Sequence, residues 1–241
     1  MRKIKEKSTV QIDGIEIPYK IRISNQARRA RIYMNIKGMK VVVPKFSNIK
    51  PKEFVEDKKD WIIKKWKYFE KLRKKIPERK FQPGAKWPYK GKQKILSVKE
   101  TSDNYIENEK IVLSKKRVDR NGIKTELEKL YRKEARKYIT ESANKWCEKF
   151  GVKYKKIYIK NQKTRWGSCS TKKNLNFNWR LLMAGPDIID YVIAHEVVHL
   201  LENNHTQKFW RILFKYFDDI KQKNRWLKEN SPKLIFTKAD L

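Results

Sequence analysis

The sequence predicts an α+β fold, with a β-rich N-terminal lobe at residues 1–116 and a mainly helical C-terminal domain at residues 117–241. The lobe is predicted because short runs of alternating apolar and polar residues, divided by glycine turns, dominate it. The domain is predicted because apolar residues recur there at helical spacing. A chain of 241 residues is long enough for one large core or two smaller ones. No internal repeat is evident.

The N-terminal lobe is predicted to contain strands on either side of one long helix. Turns at Asp13–Gly14 and at Gly38 divide residues 8–44 into short strands with alternating polarity. Helical spacing takes over in residues 52–75. Residues 87–115 then return to strand character.

The C-terminal domain begins with one long helix at residues 121–150, whose apolar stripe faces a core. A strand at residues 152–159 and a hairpin at residues 165–177 follow. A second, strongly apolar helix is expected to begin at Pro186, directly after a glycine. Residues 209–220 are predicted to form a further helix.

The chain is strongly basic, with a formal net charge of +34. The excess of basic over acidic residues is largest in residues 1–100, which carry 30 basic and 10 acidic side chains. A field of this sign attracts polyanions, so the N-terminal lobe is a candidate surface for nucleic acid. The same composition is also expected of a lysine-rich chain from an AT-rich genome or a hot habitat, with lysines on solvated helix faces. Composition alone leaves both interpretations open.

The sequence also bears on the compartment. No run of about 18 apolar residues is present, so neither a transmembrane helix nor a membrane partner is expected. The basic start of the chain is not followed by the apolar segment of a signal peptide. Cys147 and Cys169 are isolated and fit a reducing environment. We therefore expect a cytoplasmic protein.

The three histidines of the chain, His195, His199 and His205, fall within eleven residues. The first two are four residues apart, so on a helix their rings share one face and can hold one metal ion. Glu196 follows the first histidine, which gives the HExxH pattern of zinc peptidases, with two ligands and a general base. His205 completes a set of three ligands that leaves a fourth position for water, as in catalytic zinc sites. Asn203–Asn204 is expected to turn the chain so that His205 reaches the other rings.

Two other interpretations of these histidines stay open. They can be solvent-facing or satisfied core residues without a ligand role. They can also hold a structural zinc ion, but such a site needs a fourth ligand. Neither Cys147 nor Cys169 lies in the CxxC pair that structural zinc sites commonly use.

The histidine spacing is that of the metzincins, except that Glu202 stands where that clan has the glycine of its turn, so membership of that clan is not expected. The wider sequence resembles the YgjP-like family of predicted zinc metallopeptidases, relatives of the SprT-like and WLM-type zincins. The resemblance is dense over residues 130–230 and weaker upstream. It rests on Arg165-Trp166-Gly167-Ser168-Cys169-Ser170, Asn174 to Leu181, Tyr191 to Glu196, Asn204-His205-Thr206 and Phe209-Trp210. It implies a zincin-like domain whose active-site helix packs on a small sheet, one Zn²⁺ ion, and a protein or peptide substrate.

The motif implies a mechanism. His195, His199 and His205 are expected to bind Zn²⁺ as neutral imidazoles, and the ion lowers the pKa of its water toward about 7. Glu196 is expected to accept a proton from that water and to deliver it to the leaving amine.

Residues that contact the substrate or the transition state are harder to identify. Tyr191 and Arg165 are the candidates. Tyr191 lies one turn before His195 and can serve packing alone, while Arg165 can belong to a structural hydrogen-bond network. Asp190, Glu202 and Asp218 are candidates to hold a histidine ring, and the sequence does not choose among them.

Three functions compete at this stage. The leading one is a cytosolic zinc metallopeptidase, with proteins bound to nucleic acid as one candidate substrate class. The second is a metal-dependent RNA- or DNA-processing hydrolase, because the histidine skeleton also resembles that of YbeY-type ribosome-maturation proteins. Glu196 argues against it, since that skeleton needs no carboxylate after its first histidine. The third is a nucleic-acid-binding module whose zinc only fixes the fold, in which case removal of the metal unfolds the chain.

Overall fold

The computed structural model describes residues 6–237 and residue 240, and it has the predicted α+β architecture. The described residues form two compact units, one ending at Pro77 and the other comprising Glu78–Asp240. This division comes earlier than the one expected between residues 116 and 117. The strands of residues 86–114 share the core of the second unit, which explains the difference. Residues 1–5, at the start where no signal peptide is expected, lie outside the described residues.

The first unit contains a four-stranded sheet. Its strands are β1 (Glu6–Ile12), β2 (Ile15–Ser24), β3 (Arg31–Asn35) and β4 (Gly38–Pro44). The order across the sheet is β1-β2-β4-β3. The central pair β2 and β4 is parallel, and the two outer pairs are antiparallel. The predicted strands at residues 8–44 are confirmed.

The helix predicted at residues 52–75 consists of two helices, α1 (Pro51–Glu56) and α2 (Lys59–Arg73). The break falls at Lys58, whose backbone angles of φ −114° and ψ 16° leave the helical range. On either side of the break, Val55 and Ile62 both reach the core of the sheet and are fully buried.

The second unit begins with another four-stranded sheet. Its strands are β5 (Lys86–Tyr89), β6 (Lys92–Lys99), β7 (Tyr105–Glu107) and β8 (Lys110–Ser114). The order β5-β6-β8-β7 and the strand directions repeat those of the first sheet. The first hairpin of each sheet turns on two residues with positive φ, Asp13–Gly14 at 51° and 72° and Lys90–Gly91 at 49° and 78°. Such turns have a twist that matches the flanking strands. The structure therefore contains a repeated topology that the sequence does not show.

The second unit continues with helices and a third, smaller sheet. Its elements are α3 (Lys115–Asn121), α4 (Ile123–Phe150), β9 (Lys156–Lys160), β10 (Gly167–Cys169), β11 (Asn174–Asn178), α5 (Pro186–Val198), α6 (Gln207–Phe214) and α7 (Ile220–Asn230), with 3₁₀ turns at Trp179–Met183 and Ser231–Leu234. β11 pairs antiparallel with β10, as the predicted hairpin requires, and parallel with β9. None of the described helices is long and apolar enough to cross a bilayer.

The core of the second unit joins α4 and α5 to the sheets. Trp179 and Phe236 are buried at its centre, with ring centroids 4.9 Å apart. Phe177 of β11 belongs to the same cluster as Ala194 and Val197 of α5. α5 therefore packs on the small sheet, as expected for the helix that carries the first two histidines.

The helix predicted at residues 209–220 is interrupted, since α6 ends at Phe214 and α7 begins at Ile220. The turn between them brings the rings of Tyr216 and Phe217 to 5.6 and 5.4 Å from that of Trp146 on α4. Packing onto α4 therefore ends the helix at a point where the apolar spacing alone would continue it.

A buried carboxylate ties α4 to the loop before β7. The Glu126 side chain is 2% exposed and accepts hydrogen bonds from the amides of Asn104 and Asn121 at 2.7 and 2.8 Å. We expect Glu126→Ala to lower the free energy of unfolding by about 2–3 kcal/mol, because the buried Asn104 amide loses its acceptor. Urea denaturation followed by circular dichroism measures this change.

Glu128→Ala is the matched control on the same helix. Glu128 pairs with Arg132 at 2.7 Å, and both side chains are about one-third exposed, so this pair is expected to contribute about 0–1 kcal/mol. Equal losses in the two variants would contradict the special role of the buried carboxylate.

Candidate metal centre

The sequence at the start of α5 fixes where this helix begins. Gly185 is its N-cap residue and Pro186 occupies the first helical turn, where the missing N–H of proline costs no hydrogen bond. The helix ends at Val198, and His199 is its C-cap residue. His195 and His199 therefore lie in the last turn, at the carbonyl end of the helix.

The three histidines converge in the structure. One ring nitrogen from each of His195, His199 and His205 lies within 4.8 Å of the other two. The Nε2 atoms of His195 and His205 are 2.9 Å apart. The chain turns back between α5 and α6, where the Thr206 hydroxyl caps α6 by accepting from the main-chain N–H of Phe209 at 3.4 Å. Among the residues described, these histidines form the one group of three potential ligands with this geometry.

Two aromatic residues of α6 frame the histidine rings. Phe209 is fully buried, and its ring centroid lies 4.9 Å from that of His195, 4.6 Å from that of His199 and 4.7 Å from that of His205. Trp210 stacks on His205 at 5.5 Å with an interplanar angle of 25°. Such contacts restrict the rotation of the rings and keep the site apolar. Phe209 and Trp210 belong to the segments that carry the family resemblance, but the sequence did not indicate that they pack against the histidine rings.

Burial keeps His195 and His199 neutral. Burial, together with the proximity of His199 and His205, lowers the pKa of His195 to about 3. Burial also lowers the pKa of His199. Neutral imidazole is the form that binds a metal, so these two rings have the protonation state that ligands require at neutral pH.

A main-chain carbonyl orients one of the rings. The Nδ1 atom of His199 lies 3.0 Å from the carbonyl oxygen of Glu202, so an N–H at this nitrogen donates to it and leaves Nε2 for a ligand. The expected carboxylate contact is thus replaced by the peptide oxygen of the same residue. Asp190 instead accepts a hydrogen bond from the Ser142 hydroxyl at 2.5 Å.

Glu196 follows His195 on α5 and is 7% exposed. Burial is the largest influence on the pKa of its carboxyl group, which is raised to about 7. A hydrogen bond from the main-chain N–H of Cys169 and the charge of Arg165 act in the opposite direction. The general base predicted from the sequence is therefore a buried carboxylate held by β10.

Gly167 of β10 makes room for this carboxylate. A Cβ atom at Gly167 would lie 2.5 Å from Cγ, 2.7 Å from Oε1 and 2.9 Å from Cδ of Glu196. Real Cβ atoms essentially never come this close to other heavy atoms. The glycine is therefore required here for space, and its role was not apparent from the sequence.

The two candidates for substrate contact lie in different surroundings. Arg165 is exposed and is near enough to Glu196 for its charge to affect that pKa. Tyr191 is 1% exposed, and its hydroxyl donates to the side-chain oxygen of Asn224 at 3.0 Å. Its ring lies 6.0 Å from that of His195. These contacts favour a packing role for Tyr191 and leave Arg165 as the accessible candidate.

The donor set fits a zinc ion. Imidazole nitrogen is a preferred zinc ligand, and three protein ligands are typical of catalytic rather than structural sites. The buried Nδ1 atom of His195 has no hydrogen-bond partner among the described residues. Cys169 is not part of the cluster, and burial together with the charge of Glu196 raises the pKa of its thiol to about 11.

Two solved structures are similar to parts of this chain. The metallopeptidase zymogen of Pyrococcus abyssi abylysin is 19% identical, with 39% of this chain and 95% of that chain covered and a TM-score of 0.36. The metallopeptidase zymogen of Methanocaldococcus jannaschii jannalysin is 26% identical, with 40% and 90% covered and a TM-score of 0.36. No curated protein matches the chain.

A family model gives a wider match. The model of the YgjP-like metallopeptidase domain matches residues 28–230, which is most of the chain and includes every residue of the histidine site. The chain belongs to the YgjP-like family of metallopeptidases.

Proposed function

We propose that this protein is a zinc-dependent metallopeptidase in which His195, His199 and His205 bind the metal and Glu196 is the general base. One observation carries the proposal: one ring nitrogen from each of three histidines lies within 4.8 Å of the other two, and a buried carboxylate follows the first histidine. Membership of a metallopeptidase family supports peptide-bond hydrolysis as the reaction class.

The residues would share the chemistry in the following way. A zinc ion held by the histidines would act as a Lewis acid that acidifies water and polarises a peptide carbonyl. Glu196 would accept a proton on its carboxylate and return it to the leaving amine. A pKa of about 7 suits this exchange, because a proton acceptor and donor works best when its pKa lies near the operating pH. Arg165 would stabilise negative charge from the exposed side.

The proposed substrate is an extended segment of protein. β10 is one of the two edge strands in the order β10-β11-β9. An extended peptide that pairs with this edge would run along the strand that holds Glu196, and main-chain hydrogen bonds would supply affinity. Because a net charge of +34 attracts nucleic acid, the proposed substrates include proteins bound to nucleic acid. Free thiols at Cys147 and Cys169 support a cytoplasmic location.

Metal analysis and proteolysis of the whole chain test the proposal. We expect one equivalent of zinc per chain and cleavage of an unfolded protein substrate that a chelator abolishes and added Zn²⁺ restores. His205→Ala is expected to weaken zinc binding by about a hundredfold or more, because it removes one of three ligands. Competition with a zinc-sensitive dye measures the affinity.

Gln207→Ala is the matched control, since Gln207 is exposed and lies two positions beyond His205. Its zinc affinity should equal that of the unchanged chain. Absence of zinc from the purified protein would contradict the site. Bound zinc without proteolysis, together with unfolding on chelation, would instead indicate a structural ion.

A further inference from the structure

The first sheet has a basic face on the side away from its core. Side chains alternate between the two faces of a strand. Because Ile17, Tyr19 and Ile21 of β2 fill the core side, the residues that alternate with them point to the other side. The basic and aromatic residues that define this outer face are Lys7, Lys20, Arg22, Arg31, Tyr33 and Lys40.

The register aligns four of these residues in one row. Lys7 is opposite Lys20, Lys20 is opposite Lys40, and Lys40 is opposite Tyr33. Neighbouring strands lie about 4.8 Å apart, so the row crosses about 14 Å of surface. The Lys40 ammonium lies 5.6 Å from the centre of the Tyr33 ring, which is 46% exposed. The row therefore consists of three cations followed by an accessible aromatic ring.

A second row runs beside the first. Val42 is opposite Arg22 on one side and Arg31 on the other. Val42 is 7% exposed, yet it does not belong to the core cluster of this unit. The apolar stems of the flanking arginines are suited to cover it, which leaves their guanidinium groups at the surface.

The cations of the outer face are not neutralised by neighbouring acids. In the part of the chain that the structure describes, no carboxylate lies within 4.0 Å of the charged atoms of these five residues. The acidic side chain on this face is Glu16, four positions along β2 from Lys20 and next to the hairpin turn. The charge of the two rows is therefore available to a ligand.

A cavity of about 740 Å³ extends the basic surface at one end of the sheet. It is lined by Lys7 and Lys20 of the outer face together with Lys52, Arg73 and Trp66. The Arg73 guanidinium lies 4.3 Å from the centre of the Trp66 ring. Arg73 is also ion-paired with Glu70, so Lys7, Lys20 and Lys52 are the cations by which the cavity continues the basic surface.

We propose that the outer face binds single-stranded nucleic acid, with phosphates on the lysines and arginines and an unpaired base stacked on Tyr33. Charge complementarity selects a polyanion. An exposed ring among cations selects a single strand, because bases in a duplex are already stacked and do not offer their faces to a side chain. An anionic membrane surface is less suited, since the face lacks the large apolar side chains that insert into lipid.

Binding of a labelled 12-nucleotide oligothymidylate to the whole chain tests this proposal. The triple variant Lys7→Gln/Lys20→Gln/Lys40→Gln is expected to bind about a hundredfold more weakly in about 0.1 M salt. Its slope of log affinity against log salt should be smaller in magnitude by about 2, since each phosphate contact on a single strand contributes about 0.7. Fluorescence anisotropy across a salt series measures both quantities.

A second triple variant on α2, Lys64→Gln/Lys65→Gln/Lys71→Gln, is the matched control. These lysines are exposed, and each triple lowers the net charge equally, from +34 to +31. The control is expected to bind within about threefold of the unchanged chain. Equal weakening by both triples would overturn the proposal, because the overall field rather than the outer face would then hold the ligand.

Variants of Tyr33 test whether the ligand is a single strand rather than another polyanion. Tyr33→Leu is expected to weaken oligothymidylate binding about tenfold, and Tyr33→Phe is expected to preserve it, because stacking needs only the ring. Duplex DNA that binds as tightly as the single strand, with no effect of Tyr33→Leu, would overturn the single-strand assignment. Lysine-dependent binding to phosphatidylserine vesicles without oligonucleotide binding would also overturn it. The assay does not require the histidine site, so its outcome is independent of the proposed peptidase activity.

Discussion

Glu196→Gln is expected to lower kcat/KM for peptide hydrolysis by about 10³-fold while the zinc content stays that of the unchanged chain. General acid–base catalysis contributes about 10²–10⁴-fold, and glutamine cannot accept the proton. The substitution keeps the shape of a side chain that is 7% exposed, and its amide oxygen can still accept the hydrogen bond from Cys169. Steady-state kinetics and metal analysis of the same preparation measure the two quantities.

Glu202→Gln provides the control for this prediction. It is the same change in the same segment, but the hydrogen bond to His199 comes from the main-chain carbonyl of Glu202, and its carboxylate acts on His199 through its charge alone. We expect its kcat/KM to stay within about threefold of the unchanged chain. Full activity in Glu196→Gln would rule out its role as the base. Loss of zinc from that variant would make Glu196 a ligand instead.

Gly167→Ala is expected to lower kcat about a hundredfold with little change in KM. The new methyl group would occupy the space of the Glu196 carboxylate, 2.5 Å from its Cγ atom, so the carboxylate or β10 must move. Misplacing a reacting group by about 1 Å costs about 10²-fold in rate. Zinc should remain bound, because the three histidines belong to other segments of the chain. These outcomes are expected of a positioning residue that acts through Glu196.

A double variant distinguishes positioning from general damage. If Gly167→Ala acts by displacing Glu196, it should have little further effect on kcat in a chain that already carries Glu196→Gln. Ser168→Ala, one position further along β10, serves as the control for a small change in the same strand. An additional hundredfold loss in the double variant would show that the methyl group disturbs the site by another route.

Local patterns predicted most elements but not their ends. The strands at residues 8–44, the long helix that ends at Gly151 and the helix that begins at Pro186 follow from alternation, periodicity and breakers. The break at Lys58 and the turn between α6 and α7 were missed. Both depend on which distant side chains the segment packs against, and periodicity does not carry that information.

Local sequence patterns also did not locate the boundary between the two compact units. The strands of residues 86–114 have the same alternation as the first four strands, so their sequence does not reveal which core they join. The repeated strand order β1-β2-β4-β3 and β5-β6-β8-β7 is likewise set by pairing between distant segments. The hairpin turns gave a partial indication of the repeat. Both Asp13–Gly14 and Lys90–Gly91 have glycine as the second residue of the turn.

The candidate site was predictable where its residues are close in sequence. Spacing alone identified His195, Glu196, His199 and His205 as a group, and the structure brings the ring nitrogens of the three histidines within 4.8 Å of one another. The space left by Gly167 was not predictable, because it arises from a contact between β10 and α5. The same holds for the aromatic frame of α6.

The position of the histidines at the carbonyl end of α5 has an electrostatic consequence. A helix carries about half a negative charge at this end, which favours a nearby cation by about 0.3–1 kcal/mol. A chain with a net charge of +34 repels a divalent cation over long distances, and the helix dipole opposes that repulsion at close range. Salt screens this long-range repulsion more strongly than the close-range attraction of the helix dipole. Added salt should therefore ease the capture of a cation at α5 while it weakens the hold of the first sheet on a polyanion.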